Sequence, residues 1–184
     1  MELVDALEQS FTHAGTVVAG VRNEQLGAPT PCSEWDVRAL LAHMIGVVSN
    51  IGHGVRGEEL LADPNATVVG DDPGTQFADA AAGTLAAWRA AGPDAEVNIG
   101  AGPMPVMFGA SINLIDTNAH TWDLARATGQ PEALPAAVVA RTMEAAQMVV
   151  TPEIRQFAGI DPAVEVGAGA SPTEELVAFL GRRP

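Results

Sequence analysis

Residues 33–52 decide the fold, and they read SEWDVRALLAHMIGVVSNIG. Ser33 and Asp36 stand three residues apart, as the N-cap and N3 residues of a helical capping box do. The apolar residues that follow recur at three- and four-residue steps, which is the pattern of an amphipathic helix. They are Val37, Leu40, Leu41, Met44, Val48 and Ile51. We therefore predict a helix that starts at the capping box and ends at Gly52 or Gly54.

The same helical periodicity marks five other segments of the chain. They are 2–21, 75–91, 107–128, 135–150 and 173–180. Between the segments 75–91 and 107–128, two short extended candidates at 97–99 and 104–106 predict a small hairpin. Stretches rich in Gly and Pro at 62–75 and 158–172 predict loops. The expected fold is an all-α helical bundle with a hairpin and a C-terminal appendage.

Length and composition predict one domain with an aliphatic core. The chain has 184 residues, of which 47% are hydrophobic, 17% are charged and 4% are aromatic. A chain of this length and hydrophobic content is long enough to form one well-buried core and too short to form two. We expect a single domain over 1–184, with the bundle core at about 1–150 and the helical appendage at about 151–184.

The charge of the chain excludes several classes of partner and chemistry. The formal net charge is −14, and all 9 basic residues are Arg, scattered without a cluster. A nucleic-acid partner is not expected, because neutralising phosphates needs a concentrated basic face. The same repulsion excludes anionic membrane surfaces, and no apolar run reaches bilayer length. The absence of Lys excludes Schiff-base chemistry.

Cys32 is the one cysteine, so no intramolecular disulfide can form. The first residues, MELVD, lack the basic-then-apolar order of a signal peptide, and we expect a cytoplasmic protein. Cys32 precedes the predicted helix two, and His43 lies about three turns along it, roughly 16 Å by helical rise. Because no base is predicted nearby, Cys32 is interpreted as a buried spacer and not as a nucleophile.

Asp116 and His120 are the main candidates for chemistry. They lie four residues apart in the predicted helix over 107–128 and therefore project from one face. His43 borders the apolar stripe of helix two, and facing helices commonly build a metal site across their groove. The spacing leaves a second interpretation open, which is an exposed acid–His pair and an unrelated, half-buried His43. The other histidines, His13 and His53, are expected to be solvated.

Asp123 extends the polar strip of Asp116 and His120 along the same helix. Two roles are open for it. Asp123 can form an i,i+3 ion pair with Arg126, or it can accept a hydrogen bond from a metal-bound His and orient the ring.

Three stretches together resemble a known family. They are TPCSEWDVRALLAH at 30–43, HTWDLARATG at 120–129 and AFLGRR at 178–183. They are similar to actinobacterial metal-binding proteins related to the N-terminal domain of mycothiol-dependent maleylpyruvate isomerase, within the DinB-like superfamily. The resemblance implies a DinB-like four-helix bundle that binds a metal through one His of helix two and an acid–His pair of a later helix.

His43, Asp116 and His120 occupy those ligand positions, and Asp116 replaces the more usual glutamate. The resemblance implies a divalent ion, with zinc as the first choice and nickel as the second. It also implies a transferase or isomerase that uses mycothiol or a similar thiol as cosubstrate on a small-molecule substrate. The alternative is a non-catalytic bundle that binds a ligand or partner and keeps a vestigial metal site. The oligomeric state is open from the sequence, and a homodimer is one alternative because bundles of this size often pair through a helix face.

Overall fold

Four helices form the bundle in the computed structural model, which describes all residues from 1 to 184. They are α1 (Leu3–Ala19), α2 (Val37–Arg56), α3 (Pro73–Ala90) and α4 (Val106–Thr128). Helix α1 packs against α3 and α4, and α2 packs against the same two helices. The mainly helical fold predicted from the periodicity is therefore confirmed. None of these helices combines the length and the apolar character needed to cross a bilayer.

A two-stranded hairpin lies between α3 and α4. Its strands β1 (Glu96–Asn98) and β2 (Pro103–Pro105) are antiparallel, with Val97 opposite Met104. The hairpin packs on α2 and α4, and both Val97 and Met104 are buried there. The predicted hairpin is confirmed, one residue earlier in each strand.

Three further helices follow the bundle. They are α5 (Ala136–Val149), α6 (Pro152–Ala158) and α7 (Pro172–Phe179). Helix α5 packs on α4 and α1, and α7 packs on α5. Helix α6 was not predicted from the sequence, although its signals are present: Thr151 caps the helix through the Ile154 amide, and Gly159 ends it in the left-handed region at φ 65°.

Helix α2 begins later than predicted. Asp36, and not Ser33, is the N-cap, and its carboxylate accepts from the Ala39 amide at 2.8 Å. The residues before it form a folded turn, because Thr30 Oγ1 donates toward the carbonyls of Cys32 and Trp35. That turn holds residues 30–35 out of the helix and against the bundle.

The helix also ends later than predicted, at Gly57 with φ 71°. Gly52 and Gly54 are buried inside α2, where a Cβ would collide with Thr84 and with the Asn98 carbonyl, respectively. These glycines therefore let α3 and β1 approach closely, and they do not terminate the helix.

Helix α4 is central, since α1, α2, α5 and the hairpin all pack against it. Trp122, Leu114 and Leu124 are fully buried on it. Polar residues are buried there too, and they bond to neighbours, as Trp88 Nε1 donates to Asn113 at 2.9 Å. This central position places the polar side chains of α4 in contact with helix α2.

Candidate metal centre

His43, Asp116 and His120 converge between α2 and α4. His43 Nε2 lies 3.3 Å from Asp116 Oδ1, and His120 Nε2 lies 3.5 Å from the same oxygen. One ligand atom of each residue lies within 4.8 Å of the other two. The side chains are 12%, 22% and 11% exposed, in chain order. The structure thus brings the three predicted residues together, unlike the alternative of an exposed pair and an unrelated His43.

The donor atoms suit a divalent ion in both kind and spacing. Two imidazoles and a carboxylate are ligands that zinc and nickel accept, and three protein ligands leave a position open for substrate. Ligands about 2.1 Å from a tetrahedral ion stand about 3.4 Å apart from one another. The separations of 3.3 and 3.5 Å from Asp116 Oδ1 match that value.

Each histidine ring is held from its far side. His43 Nδ1 lies 2.8 Å from Asn65 Oδ1, and His120 Nδ1 lies 3.0 Å from Asp123 Oδ2. An ionised carboxylate only accepts hydrogen bonds, so the proton of His120 belongs on Nδ1. The Asn65 amide oxygen likewise accepts from His43 Nδ1. The Nε2 atoms of His43 and His120 are therefore both free to bind a metal.

Asn65 is a site residue that the sequence analysis missed. It lies in a short 3-10 turn, Pro64–Ala66, inside the stretch predicted only as a loop. A Cβ on Gly46 of α2 would collide with the Pro64 carbonyl, so the glycine lets this turn approach His43. The one sign of this contact in the sequence was Gly46, one turn after His43. The sequence did not indicate which segment packs against that glycine.

Asp123 is fully buried and orients His120. Arg182 pairs with it through Nη2 to Oδ2 at 2.9 Å and Nε to Oδ1 at 3.3 Å. Burial alone would raise the pKa of this carboxyl, but the bonds from His120 and Arg182 lower it to about 2. The alternative ion pair with Arg126 is wrong, because Arg126 pairs with Glu132 at 3.1 Å.

Cys32 lies beside the centre, contrary to the prediction from helical rise. Its Sγ is 3.3 Å from Asp123 Oδ2 and 3.8 Å from His120 Nδ1. The prediction failed because residue 32 belongs to the turn that folds back on α4, and not to the axis of α2. Burial and the Asp123 charge raise the pKa of the thiol to about 12, so it stays neutral and donates to Asp123.

Cys32, His120 and Asp123 also form a group with metal-ligand atoms within 4.8 Å of one another. Arg182 already compensates the charge of Asp123, and the Cys32 thiol holds its proton. A cation would have to displace both. The structure shows this group as a hydrogen-bond network behind His120, in which Arg182 compensates the charge of Asp123.

Trp35 covers the two histidine rings. Its ring centroid lies 4.6 Å from that of His43 and 5.7 Å from that of His120. The Trp35 side chain is half-buried and lies against the site. The indole therefore covers one side of the two rings.

The electrostatics favour a positive charge beside Asp116. Burial alone would lower the pKa of His43, but the Asp116 charge and the bonds to Asp116 and Asn65 raise it. Burial would raise the pKa of Asp116, yet His43 and His120 lower it. A protonated imidazole or a metal ion can supply this positive charge.

The centre opens into a cleft of about 1790 Å³. Toward the hairpin its wall is apolar and includes Ile99, Met104, Phe108 and Ile112. Toward α6 the wall includes Phe157, which is 78% exposed. The cleft is larger than a drug-sized pocket and extends from the three candidate metal ligands.

The two remaining histidines lie away from the candidate metal ligands. His13 on α1 and His53 near the end of α2 are each half-buried, so the expectation that both are solvated is wrong. His53 Nδ1 contacts the Glu59 carbonyl at 3.1 Å. Neither belongs to a group of metal-ligand atoms.

Comparison with known proteins agrees with this fold. The family model described as mycothiol maleylpyruvate isomerase N-terminal domain matches residues 7–125. Uncharacterized proteins from two strains of Mycobacterium tuberculosis are each 33% identical over 170 residues, which are 90% of this chain and 90% of theirs. The crystal structure of mycothiol-dependent maleylpyruvate isomerase superposes with a TM-score of 0.55 at 19% identity, covering 78% of this chain and 68% of that one.

The structural likeness, at this identity, concerns the fold alone. The sequence match is broader, because the family model spans more than half of the chain and includes His43, Asp116, His120 and Asp123. The chain therefore belongs to the mycothiol maleylpyruvate isomerase N-terminal domain family.

Proposed function

We propose that this protein binds one divalent metal ion, zinc before nickel, through His43, Asp116 and His120. The observation that carries the proposal is the orientation of the two imidazoles. Each has its Nδ1 on an oxygen acceptor and directs its Nε2 at the same Asp116 oxygen. That arrangement is the usual way in which a protein prepares histidines for a metal.

We further propose that the protein is a thiol-dependent transferase or isomerase, with mycothiol or a similar thiol as cosubstrate. The name of the structural relative, mycothiol-dependent maleylpyruvate isomerase, supports the thiol. A divalent ion at this centre would act as a Lewis acid and lower the pKa of a thiol that reaches it. The cleft supplies room for the thiol and an acceptor, and Trp35 keeps water from one side of the ligands.

The protein's own residues have separate tasks in this proposal. Asn65 and Asp123 hold the Nδ1 protons, so that neither imidazole can rotate away from the centre. Asp116 supplies the negative charge that balances the cation. The apolar wall around Phe108 and Ile112 would receive the less polar part of the acceptor. A cytoplasmic location, pairing into a homodimer and the absence of a nucleic-acid partner stay predictions.

Metal analysis of protein purified without an affinity tag tests the proposal. We expect about one equivalent of zinc or nickel per chain, lost in His43→Ala and kept in the matched control His53→Ala on the same helix. Mycothiol-dependent turnover would then be measured with maleylpyruvate and a panel of electrophilic thiol acceptors. A wild-type protein without metal, and equally stable with and without added zinc, would support the non-catalytic alternative instead.

The Asp116→Glu substitution tests the spacing of the ligands. Because glutamate is usual at this position in the family, Asp116→Glu would be expected, on that ground alone, to preserve or tighten metal binding. The separations of 3.3 and 3.5 Å lead us to expect the opposite, because the shorter side chain already stands at ligand distance. An added methylene would push the carboxylate into the imidazoles, and zinc affinity should fall about tenfold. Competition titration with a zinc chelator measures it; equal or tighter binding would contradict the expectation.

The Cys32→Ser variant tests whether the thiol of the protein itself takes part. We expect it to keep metal binding and thiol-dependent turnover within about threefold, since a hydroxyl can donate the same hydrogen bond to Asp123. With a pKa of about 12, wild-type Cys32 should also react slowly with iodoacetamide at pH 8. Complete loss of turnover in a folded, metal-loaded Cys32→Ser protein would make Cys32 the nucleophile.

A further inference from the structure

The C-terminal residues reach the back of the candidate metal centre. Arg182 lies two residues from the end of the chain, and its side chain is 18% exposed. Its guanidinium holds both oxygens of Asp123, and a third nitrogen, Nη1, donates to the Leu180 carbonyl at 3.0 Å. A planar fork on a carboxylate is the most directional ion pair that side chains form.

Three donors meet at one oxygen of Asp123. Oδ2 accepts from His120 Nδ1 at 3.0 Å, from Cys32 Sγ at 3.3 Å and from Arg182 Nη2 at 2.9 Å. Only Arg182 also binds the other oxygen, Oδ1. Arg182 is therefore the one partner whose contacts span both oxygens and so oppose rotation of the carboxylate.

We propose that Arg182 is a positioning residue for the metal ligand His120 and acts through the carboxylate of Asp123. This inference rests on the proposed metal function, since it concerns the ring that would bind the ion. It extends the centre from the helices α2 and α4 to the last turn of the chain, 59 residues beyond Asp123. The orientation of Nε2 toward Asp116 then depends on the docking of the C-terminus.

Specific contacts hold the C-terminal turn in this position. Gly181 has φ 87°, and a Cβ there would lie 2.6 Å from the Asp161 carbonyl. Arg155 on α6 ties the two neighbouring segments together, donating to the Asp161 carbonyl at 2.8 Å and to the Phe179 carbonyl at 2.7 Å. The segment after α6 thus holds the turn that delivers Arg182.

The substitution Arg182→Lys tests the proposal, because it keeps the positive charge and removes only the fork. Arg183→Lys is the matched control, because Arg183 is exposed and does not touch Asp123. The probe is Co²⁺, whose visible bands report the ligand geometry. We expect Arg182→Lys to bind Co²⁺ about tenfold more weakly and with shifted bands, whereas Arg183→Lys should match the wild type.

A second measurement uses the metal-free protein. Nitrogen NMR shifts of the His120 ring should show one fixed tautomer, with the proton on Nδ1, in the wild type and in Arg183→Lys. Arg182→Lys should show exchange between tautomers. A lower unfolding midpoint alone, with the wild-type Co²⁺ spectrum, Co²⁺ affinity and tautomer, would make Arg182 merely structural and overturn the proposal.

The two measurements separate this inference from the proposed function. A wild-type protein that binds no Co²⁺ or Zn²⁺ would contradict the function, and the tautomer measurement would still decide the role of Arg182. A wild-type protein that binds Co²⁺ with the same spectrum and affinity as Arg182→Lys would leave the function intact and overturn the positioning role.

Discussion

Zinc binding should be abolished by His120→Ala, with an affinity loss of more than about a hundredfold. The variant removes one of the three proposed ligands, and partners that only orient a ligand are already worth about 10- to 100-fold. It also removes the hydrogen bond that Asp123 accepts at 3.0 Å. Zinc content per chain and a chelator competition titration measure the effect.

The fold should survive this substitution. His120 lines the cleft with an 11% exposed side chain, and the lost hydrogen bond costs about 1–3 kcal/mol against a typical domain stability of about 5–15 kcal/mol. Far-ultraviolet circular dichroism checks the helices, and His53→Ala is the control for loss of a half-buried imidazole. Unchanged zinc affinity in folded His120→Ala would remove the assignment of the site.

The second large effect is expected at Asp123, where Asp123→Ala should lower the free energy of unfolding by about 3–5 kcal/mol. The carboxylate is fully buried, so its removal leaves the charge of the largely buried Arg182 guanidinium unpaired. Urea unfolding measures the loss. The control Glu132→Ala breaks an ion pair whose side chains are 40% and 41% exposed, and it should cost less than about 1 kcal/mol.

A double variant separates the buried charge from the lost packing. Asp123→Ala with Arg182→Met removes both charges, and we expect it to recover a large part of the stability that Asp123→Ala loses. Strictly additive losses in the two single variants would mean that the pair does not interact energetically.

The same carboxyl predicts a dependence of stability on pH. The pKa of Asp123 falls from 3.8 to about 2 on folding, so the folded state binds the proton less tightly than the unfolded state. Its contribution, on the order of 2 kcal/mol, is complete above the unfolded pKa and is lost as the pH falls from about 4 to about 2. Urea midpoints should fall more steeply over this range in the wild type than in Asp123→Ala. Parallel curves would contradict the shift.

Local patterns in the sequence were enough to predict the helices and part of the candidate metal centre. The apolar steps of α2 and α4 depend on a period of 3.6 residues, which neighbouring residues determine by themselves. The same period places Asp116 and His120 one turn apart on one face. It also allowed His43 to be proposed as a third ligand, since a residue beside the apolar stripe of one helix faces the groove to the next.

Helix ends were predicted less well, for a physical reason. Ser33 has the chemistry of an N-cap, but the turn anchored by Thr30 keeps it out of the helix, and Asp36 caps instead. Gly52 has the conformational freedom of a helix end, yet close contact with α3 is what requires it. At Ser33 a competing local turn decides, and at Gly52 a tertiary contact decides, between local preferences that differ by about 1 kcal/mol.

The sequence by itself determined the helical bundle, its hairpin, the family resemblance and three residues that could meet at a metal. Only the tertiary structure decided what holds those residues, because Asn65, Cys32 and Arg182 come from a loop, a turn and the C-terminus. Their positions depend on which segments touch after folding, and no short-range periodicity records such contacts. In the sequence, Asp123 cannot be distinguished from a surface acid. It can be buried because Arg182, 59 residues further along the chain, neutralises its charge in the folded structure.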